Sequence, residues 1–384
     1  MKKIGIYIHI PFCVKKCSYC DFTSFEGKEE YIEKYIESLK KEIENNFIVN
    51  NLIEKEKYEV DTIYIGGGTP SSINSKYIKE VIDVVKEKFN LSNNIECSIE
   101  VNPGTVDKEK IKKYKETGIN RISIGLQATQ NKLLKEIGRI HTFEDFLNCY
   151  ELVKKVGFTN INVDLMLGLP NQTLDDIESS IDKIIKLDPK HISVYSLIVE
   201  EETLMNKWIE EGKLKLPEED VERKMYWNVK NKLEKNGYIH YEISNFAKIG
   251  SESKHNLNCW NQKEYIGFGL AAHSYFNNKR YCNTDNLKEY IKNIEEDNYK
   301  KNIQICEIQN ELDKKKEYML LGLRKIDGID IQKFKNKFVD NPIFLFHNEL
   351  EKLSDKGLIE IDLNNIKLTN KGLDLANIVW EEFV

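Results

Sequence analysis

Three cysteines near the N-terminus have a spacing that suits a single metal centre. Cys13, Cys17 and Cys20 follow the pattern C-x3-C-x2-C. Cysteine thiolates usually ligate the four irons of a cubane cluster, so three of them leave one iron open to a ligand from outside the protein. Structural metal sites are normally closed, and an open position therefore indicates chemistry. The alternatives are a zinc site completed by a distant His or Cys and three unrelated thiols, but zinc sites usually read as two separated ligand pairs.

The composition limits the class of protein. The chain has 384 residues, 40% of them hydrophobic, which allows one large domain and a smaller one. A net charge of −6 is mild and does not favour nucleic acid as a partner. We find no leader and no apolar run that would span a bilayer, which leaves only peripheral membrane contact open. The eight cysteines do not suit a small secreted disulfide framework, so we predict the reducing cytoplasm, where clusters survive.

Strand signals alternate with amphipathic helix signals through the first half of the chain. Six segments read as strands, and helical segments separate them: 4–10, 60–65, 95–101, 121–126, 161–166 and 191–197. Repeated βα units predict a parallel sheet, which right-handed crossovers wind into a full or partial barrel. Chemistry in such folds gathers at the carboxyl ends of the strands. The cysteine loop directly follows the first strand and therefore lies at that end.

The pattern changes after residue 197, and a new unit is evident from about residue 313. Three helical segments and a hairpin follow one another there: 315–324, 331–338, 343–354 and 358–368. This order resembles a winged-helix module. We therefore predict an α/β protein with a partial (β/α)6 barrel at 1–280 and a winged-helix-like domain at 281–384, the boundary lying between 281 and 313.

Glycines and polar residues at the strand ends form a second candidate site. The second strand runs into GGGTP at 66–70, where backbone N–H groups can approach a ligand without a Cβ in the way. Other polar residues lie near or after strand ends: Glu100, Gln127, Arg139 and Asp164. Burying such groups unpaired costs about 1–3 kcal/mol each, so their position indicates a charged ligand. The alternative is a set of internal salt bridges, such as Arg139 with Asp164.

These motifs together resemble the radical S-adenosylmethionine (SAM) superfamily. Its signature is the C-x3-C-x2-C spacing with an aromatic residue, here Tyr19, before the last cysteine. The resemblance implies a [4Fe–4S] cluster on Cys13, Cys17 and Cys20, with SAM chelating the open iron through its amino and carboxylate groups. It also implies SAM contacts for a further set of residues: Tyr7, Gly67, Gly68, Thr69, Glu100, Gln127, Arg139, Asp164 and, against the adenine, Ile198.

Within that superfamily, the chain resembles the oxygen-independent coproporphyrinogen III oxidase group over nearly its whole length. The matching segments are YIHIPFC at 7–13, GGGTP at 66–70, EVNP at 100–103, GLQ at 125–127 and DLMLGLP at 164–170. The true oxidases have a further cysteine two residues after the third one, and this chain has Phe22 there. They also have an extension before the cluster strand. Both differences count against oxidative decarboxylation of coproporphyrinogen.

A downstream box is similar to that of the heme chaperones of the same group, the HemW type. These share the phenylalanine and have an H-N-x-x-Y-W box, which reads HNLNCW at 255–260 here. A neutral imidazole, that of His255, is a good axial ligand for heme iron, and Trp260 would cover the macrocycle. Taken alone, a histidine beside an asparagine more often caps or hydrogen-bonds a loop. Cys259, which replaces the tyrosine, is the alternative ligand.

The resemblance therefore predicts a heme chaperone that binds heme and transfers it to client hemoproteins, with a [4Fe–4S] cluster and SAM as further cofactors. The alternative is a radical SAM enzyme that cleaves SAM reductively to a 5′-deoxyadenosyl radical and acts on a porphyrinogen or another substrate. A third hypothesis, nucleic-acid binding by the C-terminal module, is disfavoured because acids are interspersed among its basic residues. Whether the cluster drives a homodimer is left open.

Overall fold

The computed structural model describes residues 1–45 and 57–384 and contains one sheet of twelve strands. Six of these strands lie side by side in sequence order and are parallel. They are β1 (Lys2–Ile10), β2 (Tyr58–Gly67), β3 (Leu91–Val101), β4 (Arg121–Gln127), β5 (Asn160–Leu167) and β6 (His191–Ser196). The predicted α/β fold with a partial (β/α)6 barrel is confirmed.

Helices pack their apolar faces on this sheet. Those of the barrel are α1 (Ile32–Asn45), α2 (Ser75–Lys88), α3 (Lys108–Glu116), α4 (Asn131–Glu136), α5 (Phe143–Val156) and α6 (Leu174–Leu187). Capping boxes begin α5 at Thr142 and α6 at Thr173, because each threonine accepts from the N–H of an aspartate three residues later. In β1, Ile4 and Ile8 are fully buried in the same core as Leu39 of α1. Alternation then turns the odd-numbered residues of β1 to the other face of the sheet.

Both edges of the sheet extend beyond the predicted strands. After α7 (Leu204–Glu210) and α8 (Glu219–Lys235), the antiparallel pair β7 (Ile239–Glu242) and β8 (Asn245–Ala247) adds to β6. The other edge follows α9 (Lys254–Trp260) and adds to β1: β9 (Tyr265–Phe268), β10 (His273–Phe276), β11 (Lys279–Asn283), α10 (Leu287–Glu295) and β12 (Ile303–Ile308). Of these additions, the sequence predicts a helix at 220–236, which corresponds to α8. It also predicts one strand at 238–244, where the structure has β7 and the turn to β8.

A second, smaller core belongs to the C-terminal unit. Its helices are α11 (Glu311–Gly322), α12 (Ile331–Phe338), α13 (Pro342–Leu345), α14 (His347–Asp355), α15 (Asn370–Asp374) and α16 (Ala376–Glu381). Its sheet has the order β13–β15–β14, built from β13 (Ile329–Asp330), β14 (Ile359–Ile361) and β15 (Asn365–Leu368). Helices followed by a hairpin agree with the winged-helix-like prediction.

The two cores suggest where the chain divides. The large sheet continues through β12, and the apolar residues of the second core run from Tyr318 to Phe383. The predicted division at 280 falls inside β11, so we propose a boundary near 309, within the predicted interval of 281–313. The sequence does not place the boundary more closely, because β12, IQICEI, is largely exposed. Within residues 1–45 and 57–384, every helix is too short or too polar to traverse a bilayer.

Candidate functional site

One cavity of about 360 Å³ opens where the parallel strands end. Cys13, Cys17 and Cys20 lie in its wall, on the loop that follows β1. Predicted SAM residues from other strand ends line the same cavity: Gly67, Gly68, Thr69, Glu100, Gln127, Arg139 and Asp164. The volume lies in the ordinary range for small-molecule sites. The structure thus assembles two separately predicted residue sets into one site.

Backbone hydrogen bonds position the cysteine loop. Cys13 donates its N–H to the carbonyl of Phe25 at 2.9 Å, and Phe25 donates back to Pro11 at 2.7 Å. The loop packs tightly on the glycine turn after β2, because a Cβ on Gly68 would lie 2.9 Å from Cys13 Sγ. Thr69 Oγ1 donates to the same sulfur at 3.5 Å. Contacts between Cys13 and the glycine turn therefore fix the position of both.

The donor set fits a cluster with one open iron. Three thiols line the cavity, and no fourth cysteine is among its described lining residues. Burial raises the pKa of Cys13 and of Cys20 above the usual value for a thiol. Since only thiolates ligate iron, binding of the cluster has to release protons from these groups. Three soft ligands around a cavity wide enough for a second molecule suit a [4Fe–4S] centre that SAM completes.

Glu100 and the glycine turn form one corner of the cavity. Tyr64 donates its hydroxyl proton to Glu100 Oε1 at 2.8 Å. A Cβ on Gly66 would lie 3.1 Å from that oxygen, and Gly67 has φ +116°, a conformation that L side chains rarely adopt. Burial, above other causes, raises the pKa of Glu100 from 4.5 to about 7. The carboxylate is thus held where an ammonium group of a ligand would stabilise its charged form.

Arg139 lines the cavity and has one buried donor that is not satisfied. Its Nη1 donates to Asn102 Oδ1 at 3.1 Å, while its Nε is buried and has no partner among the described residues. Gly125 makes room for this group, because a Cβ there would lie 3.0 Å from Arg139 Nη2. A buried, unsatisfied guanidinium N–H is costly unless a ligand completes it. The arrangement fits a carboxylate such as that of SAM.

Asp164 and Gln127 form a further part of the cavity wall. Asp164 accepts from Asn162 Nδ2 at 2.7 Å and from Ser123 Oγ at 3.1 Å, so its partners are not those expected for a salt bridge with Arg139. Gln127 ends β4 with φ +72°, and its Oε1 accepts from Tyr195 at 2.9 Å. A left-handed residue that is not glycine marks stored strain, which persists where the surroundings enforce it.

Two of the predicted SAM residues lie elsewhere. The Tyr7 hydroxyl pairs with His9 Nδ1 at 2.9 Å, and its ring stacks on Tyr64 behind the cavity wall. Ile198 follows β6 and is 71% exposed. Neither residue lines the cavity. Contacts of SAM with these two side chains remain predictions.

The residues of the HNLNCW box are also outside the cavity, except Asn256. His255 is buried: its Nδ1 lies 3.0 Å from Thr62 Oγ1, and its ring stacks on Tyr64 with centroids 5.2 Å apart. Burial lowers the pKa of His255 to about 4, so the imidazole is neutral. Trp260 instead faces the C-terminal unit, where Arg324 lies 4.3 Å from the centre of the indole ring. The structure thus places the proposed heme ligand behind the SAM site.

Several cavity residues are absent from the sequence-based prediction. They are polar or aromatic side chains near the ends of β2, β3, β4 and β6: Tyr64, Asn102, Ser123, Ser193 and Tyr195. Their position near strand ends is a signal that the sequence contains, since the same rule points to Glu100 and Asp164. Uncharged polar side chains are common in strands, so their residue types alone do not single them out.

The raised pKa of Glu100 predicts how the stability of the folded protein depends on pH. Between pH 4.5 and about 7 the folded protein holds a proton here that the unfolded chain releases, so this group lowers stability as the pH rises. In the cluster-free and SAM-free protein, we expect Glu100→Gln to raise the free energy of unfolding by about 1–3 kcal/mol at pH 8 and to lose that gain near pH 4.5. Denaturant unfolding at both pH values measures the change in the free energy of unfolding. Exposed Glu109→Gln is the control. Equal gains for Glu100→Gln at both pH values would contradict the raised pKa of Glu100.

Comparisons with known proteins agree with this geometry. The model of the radical SAM superfamily matches residues 7–184, and that of the HemN C-terminal domain matches residues 310–375. The heme chaperone HemW of Bacillus subtilis (strain 168) is 39% identical over 379 residues, which cover 98% of each chain. The chain belongs to the HemW family. HemW of Lactococcus lactis subsp. lactis (strain IL1403) is 38% identical, over 100% of this chain and 98% of its own.

A solved structure supports the fold of this HemW-family chain. Coproporphyrinogen III oxidase (HemN) from Escherichia coli superposes with a TM-score of 0.85 at 21% identity, covering 100% of this chain and 90% of the other. At that identity the likeness concerns the fold alone. The match to the radical SAM superfamily confirms the resemblance drawn from the motifs. Membership in this superfamily implies a [4Fe–4S] cluster and SAM as cofactors.

Proposed function

We propose that this protein is a heme chaperone that binds heme and transfers it to client hemoproteins. The observation that carries the proposal is the full-length similarity to a heme chaperone, 39% identity over 98% of both chains. Phe22 supports it, because the oxidases of the group have a cysteine at this position. The cysteine usage further supports a cytoplasmic location, where thiols and clusters stay reduced.

At the residue level, we propose that Cys13, Cys17 and Cys20 hold the cluster and that the cavity beside them holds SAM. Arg139 would pair with the SAM carboxylate, and Glu100 with its amino group. When bound, the cluster supplies an electron and SAM supplies a sulfonium that this electron can cleave. The protein's own contribution is to orient SAM and to keep water from the sulfonium. Tyr195 assists by holding the side chain of Gln127.

Heme binding through the box requires a rearrangement. α9 is anchored at both ends: His255 N donates to Glu96 Oε1 at 3.1 Å, and Asn258 Nδ2 donates to Asp61 Oδ1 at 3.0 Å. For the imidazole to reach heme iron, this helix has to leave its place on the sheet. If His255 moved away, Tyr64 would lose the imidazole that stacks on its ring. Tyr64 is also the residue that donates a hydrogen bond to Glu100. Tyr64 therefore links the heme box to the SAM site, and Asn256 belongs to the box and also lines the cavity.

The heme test compares two ligand variants with a control. We expect His255→Ala to lose the specific spectrum of the heme-loaded protein, because the imidazole supplies the Fe–N bond. Exposed His347→Ala should leave the spectrum unchanged. If the thiolate is the ligand instead, the absorption maximum is shifted, and Cys259→Ser rather than His255→Ala removes the specific spectrum. Asn258→Ala, which loosens α9, should speed heme uptake without shifting the absorption maximum.

Two results would count against this proposal. If both ligand variants keep the full spectrum, the box has only the structural role seen in the fold, and heme is bound elsewhere. If the wild-type protein fails to take up heme at all, the chaperone function itself is wrong.

The second candidate is a radical SAM enzyme, and it is favoured by the charged and polar residues that line the cavity: Glu100, Gln127, Arg139 and Asp164. Anaerobic reduction in the presence of SAM, followed by a search for 5′-deoxyadenosine, tests whether SAM is cleaved. Coproporphyrinogen III is the substrate to include. Because Phe22 replaces the cysteine of the oxidases, decarboxylated product is not expected, and its formation would establish the enzyme alternative.

We also propose that the face around the cavity forms a homodimer when the cluster is present. Large apolar side chains on loops at this end of the barrel are exposed: Val14, Phe22, Ile140 and Ile198. Large exposed apolar side chains at one end of a fold suit contact with a partner. Sedimentation of cluster-loaded and cluster-free protein tests the proposal, and a monomer in both states would refute it.

A further inference from the structure

A second group of metal-ligating side chains lies on the edge of the large sheet, apart from the cysteine loop. His273 of β10, Cys282 of β11 and Cys306 of β12 each place a ligand atom within 4.8 Å of the others. The two sulfurs are 3.4 Å apart. None of the three residues lines the cluster cavity. The group therefore needs an explanation separate from the cluster and SAM.

The strand register builds this group. His273 lies directly opposite Cys282 in the antiparallel pair β10–β11. In the pair β11–β12, the register shifts between Arg280 and Tyr281, so that Cys306 is the extra residue of a bulge. Bulges re-aim side chains, and here the bulge turns the thiol of Cys306 toward that of Cys282. Three successive strands thus present their ligand atoms at one point.

The chemistry of the three ligands selects the kind of ion. Two thiolates and an imidazole suit Zn²⁺ among the common ions, whereas Mg²⁺ and Ca²⁺ prefer oxygen. Zn–S bonds of about 2.3 Å in a tetrahedral site put two sulfurs about 3.8 Å apart. The observed 3.4 Å needs only a small widening, while a disulfide needs the sulfurs to close to about 2.05 Å. The distance between the two sulfurs is therefore closer to that of two thiolates on one metal ion than to that of a disulfide bond.

One side of this group is open to a further ligand. A cleft of about 390 Å³ borders His273 and Cys282, and the acids Asp285 and Glu289 also line it. Cys306 is exposed. A metal held here would keep a fourth position for water or an external ligand, and it would join the last three strands before the chain enters the C-terminal unit.

We propose that His273, Cys282 and Cys306 bind one zinc ion with an open fourth position. The site is independent of heme and of the cluster, so it stands or falls separately from the proposed function. The full-length chain with Cys13, Cys17 and Cys20 changed to serine removes competing thiolates at the cluster site. Co²⁺ then serves as the coloured substitute for Zn²⁺ in this background, under anaerobic conditions.

We expect one equivalent of Co²⁺ to produce thiolate-to-cobalt charge-transfer bands together with the strong visible bands of tetrahedral cobalt, and Zn²⁺ to displace it. Cys282→Ser and Cys306→Ser should each weaken binding by more than about tenfold. His273→Ala should keep charge-transfer intensity but alter the visible bands. Gln304→Ser, an exposed change on the same strand, is the matched control.

Several outcomes would overturn the proposal. One is the absence of tetrahedral bands, and another is equal affinity in Cys306→Ser and Gln304→Ser. A third is an anaerobic protein whose intact mass is lower by the two hydrogens of a disulfide and which takes up no cobalt; the pair would then be a redox dithiol. Zinc content of the cluster-loaded wild-type protein provides the second measurement, with one zinc per chain expected and its loss in Cys306→Ser.

Discussion

Cys17→Ser will not form a [4Fe–4S] cluster on anaerobic reconstitution. Three thiols are all the cysteines among the described residues that line the cavity, so the loss of one leaves two protein ligands for four irons. Iron and sulfide analysis should fall from about four of each per chain to near background. The absorption of the cluster in the visible region should disappear with them.

Cys306→Ser is the matched control for this experiment, because it makes the same chemical change at an exposed cysteine outside the cavity. It should retain full iron content. A cluster that forms equally well in Cys17→Ser would mean that another residue completes the site and that the assigned ligand set is wrong. The Cys17→Ser protein also supplies the cluster-free sample for the sedimentation comparison.

Asp164→Ala should weaken SAM binding by about 1.5–3 kcal/mol, which corresponds to a roughly 10- to 150-fold rise in Kd. The carboxylate lies in the cavity wall and is oriented by Asn162 and Ser123, so it is ready to accept a charge-assisted hydrogen bond. Calorimetry of SAM binding to cluster-loaded protein measures the change.

Asp182→Ala provides the comparison, since this aspartate lies on α6 and pairs at the surface with Lys232. Its Kd for SAM should equal that of the wild type. Melting of both variants without SAM separates a binding defect from a folding defect, because loss of Asp164 removes the acceptor of the Ser123 hydroxyl and one of the two acceptors of Asn162 Nδ2. An unchanged Kd in a folded Asp164→Ala protein would exclude the proposed contact.

The position of His255 shows where motif reasoning stops. The box HNLNCW suggests a heme ligand because it resembles the box of the heme chaperones, but the fold holds the imidazole against Thr62 and Tyr64. Nothing in the local sequence encodes those neighbours, since both come from β2, almost two hundred residues earlier. A motif can identify a residue type with the right chemistry without telling whether the group faces a ligand or the protein interior.

The sequence by itself determined the features that depend on neighbouring residues. The C-x3-C-x2-C loop, the alternation of βα units and the glycine turn at 66–70 are local patterns, and strand-end position follows from them once the sheet is taken as parallel. Helix starts at Thr142 and Thr173 are likewise local, because a capping box lies within four residues.

Only the tertiary structure decided the features that require contacts across the chain. The edge strands β10, β11 and β12 are short and partly polar, so their pairing, and with it the meeting of His273, Cys282 and Cys306, depends on register and on a bulge. The unpaired Nε of Arg139 and the room that Gly125 makes for its guanidinium likewise arise from packing between separate strand ends. Such contacts depend on how separate strands and loops pair and pack, which no local pattern of residue types specifies.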